Sequence, residues 1–152
     1  GPYGVATGPV AVLQGEEVPA GTVLSLVFTG SSFQVMNGEV RTLRPCPAGS
    51  VAANGQFCID IQQNPTASDW FVAAADCGAR GMRLCSWAEY HVACSNGASL
   101  GLANIVGDWE WIGSACNEDG CARIVGGSSC SSTACALATG NTDRIHRCCS
   151  DR

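Results

Sequence analysis

Gly81-Met82-Arg83-Leu84-Cys85-Ser86-Trp87-Ala88-Glu89-Tyr90 is the stretch whose reading decides the fold. Ser86 followed three residues later by Glu89 has capping-box spacing. The serine hydroxyl can take the amide of the third helical residue, and the glutamate can reach back to the amide of Ser86. The spacing predicts a helix opening at Trp87 and running to about Cys94. Upstream, Thr66 to Ala79 carries a helical pattern of its own. Thr66 or Ser68 is placed to cap it, Asp69 sits in its first turn, and Trp70, Phe71, Ala74 and Cys77 form one apolar stripe before Gly78 and Gly81.

Outward from these two helices the texture is that of strands and turns. Cys46 to Asp60 reads as a short hairpin through Asn54-Gly55. Beyond Asn96, glycine, serine and asparagine lead to a strand at Trp109-Glu110-Trp111-Ile112, a second at Ala122 to Gly127, and a last one from Arg144 to Cys149. Two helices followed by antiparallel strands predict an α+β domain with its core between helices and sheet.

All eleven cysteines lie between Cys46 and Cys149. Zinc would ask for closely spaced pairs completed by histidines. Cys116 and Cys121, and Cys130 and Cys135, bracket turns rich in polar small residues, while His91 and His146 lie elsewhere. The pattern therefore predicts disulfides and an extracellular or cell-surface location. Spacing does not give the connectivity. The local pairings expected are Cys46 with Cys58, Cys85 with Cys94, Cys116 with Cys121 and Cys130 with Cys135, with Cys77 joined to the last strand. The odd cysteine is a free thiol, an interchain link, or part of a strained arrangement at the adjacent Cys148 and Cys149.

Composition narrows the function classes. The net charge is −5 and all eight basic residues are arginine, which argues against nucleic acid and anionic membranes as partners. No apolar run approaches the ~20 residues of a membrane span, so no membrane insertion is expected. No cofactor is implied. Gly1-Pro2 reads as a tag remnant, and the chain as a piece of something longer. With 46% apolar residues the chain can build a core.

Residues 1–45 hold no cysteine. Val10 to Leu13, Thr22 to Phe28 and Ser32 to Val35 read as strands, and Asn37-Gly38 marks a hairpin into Val40 to Leu43. So short a β-rich neck buries too little to stand alone. Either it joins the main sheet or it assembles with copies of itself. The division expected is a neck over 1–45 and a disulfide-rich domain over 46–152.

Five motifs recur in a familiar order: Phe57-Cys58-Ile59-Asp60, Gly81 to Tyr90, Trp109-Glu110-Trp111, Val125-Gly126-Gly127-Ser128 and Arg147-Cys148-Cys149. Over residues 46–149 the chain resembles the C-type-lectin-like fold in its formylglycine-generating and sulfatase-modifying branch. It resembles more closely the cysteine-rich versions at the C-terminal tips of bacterial or phage collagen-like and tail-fibre-like trimers. The resemblance implies a homotrimeric fibre or adhesin whose tip binds a surface glycan or protein. Cys85 replaces the proline of the enzyme branch and Tyr90 its tryptophan, and that branch's reactive cysteine pair and calcium sites have no counterpart. The expectation is therefore a binding domain and not an enzyme. A sulfatase-modifying-type enzyme and a trimerising cap without ligand are the alternatives.

Candidate ligand-binding residues follow from residue type and position. Trp87 can stack on a sugar, or pack with Tyr90. Asp108 and Glu110 share one strand face and Trp109 and Trp111 the other, with Trp111, like Trp70, expected in the core. Asn117, Glu118 and Asp119 form an acidic tip between two cysteines, and Arg123, Asp143 and Arg144 flank the following loop. Loops near 95–108, 113–121 and 128–143 would carry the contacts.

Overall fold

The computed structural model describes residues 5–7, 11–12, 25–31, 33–35, 44–140 and 142–152. The chain divides into two compact units, Gly1–Leu43 and Arg44–Arg152. In the first, strands β1 (Val5–Thr7), β2 (Ala11–Val12), β3 (Leu26–Phe28) and β4 (Phe33–Val35) form a sheet in the order β2-β1-β4-β3. β1 runs parallel to β4, and β3 antiparallel to it. Phe28 and Phe33 face each other across β3 and β4 with ring centroids 5.2 Å apart. Leu26, Val27 and Phe28 on the edge strand are exposed. The Asn37-Gly38 hairpin and its partner strand lie outside the described residues.

The second unit is mixed α+β. Its strands are β5 (Ser50–Ala52), β6 (Phe57–Asp60), β7 (Asn64–Ser68), β8 (Arg83–Leu84), β9 (Glu110–Ala115), β10 (Cys121–Val125), β11 (Thr133–Leu137), β12 (Arg144–His146) and β13 (Cys148–Asp151). They form a five-stranded sheet, β11-β10-β9-β12-β7, and a four-stranded one, β5-β6-β13-β8. The helices are α1 (Trp70–Ala79), α2 (Trp87–Ser95) and α3 (Gly97–Leu100).

α2 opens as the capping box predicts. The Glu89 amide donates to Ser86 Oγ at 3.3 Å, and the Ser86 amide to Glu89 Oε2 at 2.8 Å. α1 starts later than Thr66, because residues 64–68 are taken by β7, which pairs with β12. Asp69 is its cap, accepting from the Val72 amide at 2.8 Å, so neither Thr66 nor Ser68 has that role. The start shifts the buried stripe to Ala73 and Cys77, and Phe71 points to solvent. The last strand is broken at Arg147: β12 belongs to the five-stranded sheet and β13 to the four-stranded one.

Helices cover the five-stranded sheet from both sides. Ala73 and Cys77 of α1 pack with Leu84, Trp111, Ala122 and Ile124, and Trp109 adds to this side. Tyr90 and Cys94 of α2 pack with Ile112 and Val125 on the other side. Val125-Gly126-Gly127-Ser128 is glycine-rich for steric reasons. A Cβ on Gly126 would collide with the Tyr90 hydroxyl, and one on Gly127 with the Trp109 ring.

Five disulfides staple this unit: Cys46–Cys58, Cys77–Cys148, Cys85–Cys149, Cys94–Cys130 and Cys116–Cys135. The local pairing of Cys46 with Cys58 is present, and Cys77 does join the last strand. The pairings Cys85 with Cys94, Cys116 with Cys121 and Cys130 with Cys135 are incorrect. Cys85 lies opposite β13 through Leu84↔Cys148 pairing, which delivers it to Cys149, and Cys94 on α2 instead anchors the loop that carries Cys130. The adjacent Cys148 and Cys149 enter separate bridges, and Cys121 is the free thiol.

Candidate functional site

The candidate site is built on the five-stranded sheet, beyond the end of α2. Register places Val125 opposite Thr133, Arg123 opposite Cys135 and Cys121 opposite Leu137. Side chains alternate across a strand, so these pairs share the face on which α2 covers Val125. α2 does not cover the rest. Thr133, Cys135 and Leu137 are exposed, and Arg123 and Cys121 are half-buried. At the start of α2, Trp87 is 44% exposed and its amide donates to Ser114 Oγ at 3.0 Å. The next carbonyl, that of Ala115, accepts from Arg123 Nε at 3.2 Å, and Arg123 Nη1 donates to Thr133 Oγ1 at 3.1 Å. Trp87 and Arg123 thus flank one short segment of β9, with a tryptophan face and a fixed guanidinium both reaching solvent.

The acidic tip is the turn beyond this face. Asn117, Glu118 and Asp119 are exposed, and Cys116, just before them, is tied to β11 by its bond to Cys135. On the other flank the His91 ring lies tilted by 49° to that of Trp87, centroids 6.3 Å apart, and its Nδ1 lies 3.2 Å from the Cys130 carbonyl oxygen. Ser132 Oγ gathers Ser128 and Ser129 into a tight turn beside it. Rigid loops on a rigid sheet lose little freedom when they bind, which suits recognition.

Of the candidate residues, Trp87 and Arg123 bond to neighbouring residues of β9, Ser114 and Ala115, and Asn117, Glu118 and Asp119 lie in the exposed turn that follows. The others are placed differently. Glu110 is buried at 1% exposure and receives Arg147 Nε at 3.1 Å, so it is a structural acid. Trp109 is half-buried over Gly127. Asp108 is exposed in the loop before β9, while Asp143 and Arg144 stand at β12, whose Arg144 pairs with Ser68. Tyr90 is buried, its hydroxyl donating to the Ile105 carbonyl, and so parts company with Trp87.

Two internal polar networks hold this frame. Arg147, itself 1% exposed, donates to Glu110 and to the carbonyls of Asp60, Ile61 and Ala103. Gln63 Nε2 donates to the same carboxylate at 3.0 Å. Burial pushes the Glu110 carboxyl up, and Arg147 acts against that. Asp60 receives both Arg80 Nη atoms at 2.8 and 2.7 Å and the Cys148 amide at 3.1 Å. Arg147 was legible only as part of a motif. A charged residue between apolar strand positions was the available signal, but its partners come from distant segments.

Cys77, Cys148 and a ring nitrogen of His146 lie within 4.8 Å of one another, a grouping that resembles a metal site. The two sulfurs are bonded to each other, and a metal would need thiolates. His146 Nε2 instead faces Asp76 Oδ2 at 3.1 Å, and this contact first of all holds the Asp76 carboxyl below its ordinary value.

A groove of about 400 Å³ lies elsewhere, lined by Arg44, Pro45, Pro47, Met82, Arg83 and Asp151 among others. Arg83 there is committed to Glu89 and Asp151 at 2.7 Å. Comparison of the sequence with protein-family models and with curated proteins finds no match. The fold and this face define the chain's second unit as a disulfide-stapled α+β domain with one uncovered sheet face.

Proposed function

We propose that this chain is the recognition tip of an exported fibre or adhesin, built on a C-type-lectin-like scaffold and binding a surface glycan or protein. The observation that carries the reading is the exposed Trp87 at the start of α2, bonded to the same end of β9 that Arg123 bonds and from which the acidic turn leads off. An exposed tryptophan offers an apolar face for a sugar ring or an aromatic side chain, and the arginine and carboxylates beside it offer directional hydrogen bonds. The five disulfides support an oxidising, extracellular setting, and among the described residues no helix is long and apolar enough to cross a membrane.

The alternative of a sulfatase-modifying enzyme needs a pair of reactive thiols, and Cys121 is the single cysteine outside a disulfide. The exposed edge strand Leu26-Val27-Phe28 supports self-association, and with it the trimer. A glycan and receptor-ectodomain array, run on the intact chain alongside Trp87→Ala and Arg123→Ala, tests the proposal. Binding that falls roughly tenfold or more in Trp87→Ala supports it. Binding that both variants retain moves the site off this face. A solution mass equal to one chain removes the trimer.

A further inference from the structure

Cys121 is not an isolated thiol. β9 and β10 pair Ala115 with Ala122, and Cys116 and Cys121 are the next residues on the two chains, at the mouth of the turn they enclose. Directly opposed residues in such a pair hold their Cβ atoms about 4.5–5.5 Å apart, close to what a disulfide requires. Cys116 is already bonded to Cys135, whose side chain is exposed, and Cys121 and Cys135 lie on the same face of β10 and β11. Three cysteines therefore share one end of the sheet, with Cys116 bonded to Cys135 and the free Cys121 across the mouth of the same turn.

We propose that this end of the sheet is a thiol–disulfide exchange site in which Cys116 alternates between Cys135 and Cys121. The Cys121 thiolate attacks Cys116 Sγ, a Cys116–Cys121 bond forms, the Cys116–Cys135 bond breaks, and Cys135 leaves as a thiolate that takes up the proton Cys121 gave to water. One disulfide replaces another and one thiol replaces another, so no oxidant or reductant is consumed. Arg123 stands opposite Cys135 and favours the leaving thiolate, whereas desolvation first, then Glu118, which accepts from the Cys121 thiol at 3.7 Å, and Asp119 push the attacking thiol up. Exchange converts the acidic turn from an open hairpin end into a four-residue loop closed by its own cystine, and delivers a thiol to the exposed middle of the face. The inference needs no ligand and stands apart from the binding reading.

The test is native-state alkylation of the intact oxidised chain over time, followed by peptide mapping without reduction. Label on both Cys121 and Cys135, with a matching Cys116–Cys121 peptide, is the expected result. Label confined to Cys121 at every time overturns the proposal. Two variants close the alternatives. Cys121→Ser must lose label at Cys135, and continued labelling there sinks the mechanism. Cys135→Ser must pair Cys116 with Cys121 and show no free thiol, and free thiols at both positions would equally overturn it. Binding measured on the same samples reports separately on the recognition face.

Discussion

Residues 1–43 and 44–152 solve the same problem by different means. The first unit has no cysteine, and its edge strand β3 turns Leu26, Val27 and Phe28 outward. The second has its apolar side chains in three clusters and ties them with five covalent bridges. Cross-links restrict the unfolded chain and so allow glycine-rich loops that an unlinked domain of this size would struggle to order. The proposed function places recognition in the stapled unit and self-association in the unstapled one, where β3 ends the sheet among the described residues.

The largest expected effect comes from removing the staples. Reduction should abolish the near-ultraviolet dichroism of the tryptophans, all of which lie in 44–152, and retention of that signal would break the contrast. Next is Arg147→Leu, which leaves Glu110 buried without its cation and should cost about 3–5 kcal/mol in denaturant unfolding. Replacing Glu110 as well, by an apolar residue of similar size, should recover most of the loss. Third, opening Cys46–Cys58, which spans 12 residues, should cost about 3 kcal/mol by loop entropy.

Acid gives a smaller change. Because His146 lowers the Asp76 carboxyl in the folded state, its stabilisation is present above the ordinary carboxylate pKa. That stabilisation is lost as pH falls through the lowered value. Asp76→Asn should flatten this acid limb in melts at successive pH values.

What was legible in the sequence was what lies within a few residues. The Ser86 and Glu89 box is covalent spacing, and the Cys46–Cys58 hairpin closes through one turn, so both could be read directly. The start of α1 could not, because β7 claims residues 64–68 by pairing with a strand some eighty positions away. The bridges of Cys85, Cys94 and Cys116 failed for the same reason, joining segments separated by 64, 36 and 19 residues. In the candidate site, Trp87, Arg123 and the acidic turn were identifiable by type. The placing of Arg123 opposite Cys135 depends on sheet register, as does the burial of Glu110.

Cys148 and Cys149 close bridges to Cys77 of α1 and to Cys85, just before the cap of α2. These two bonds must therefore wait until residues 148 and 149 have been made, whereas Cys46–Cys58 can close once residue 58 is in place. A product cut before Cys148 keeps all three helices in its sequence but loses both clasps, and leaves Cys77 and Cys85 as free thiols.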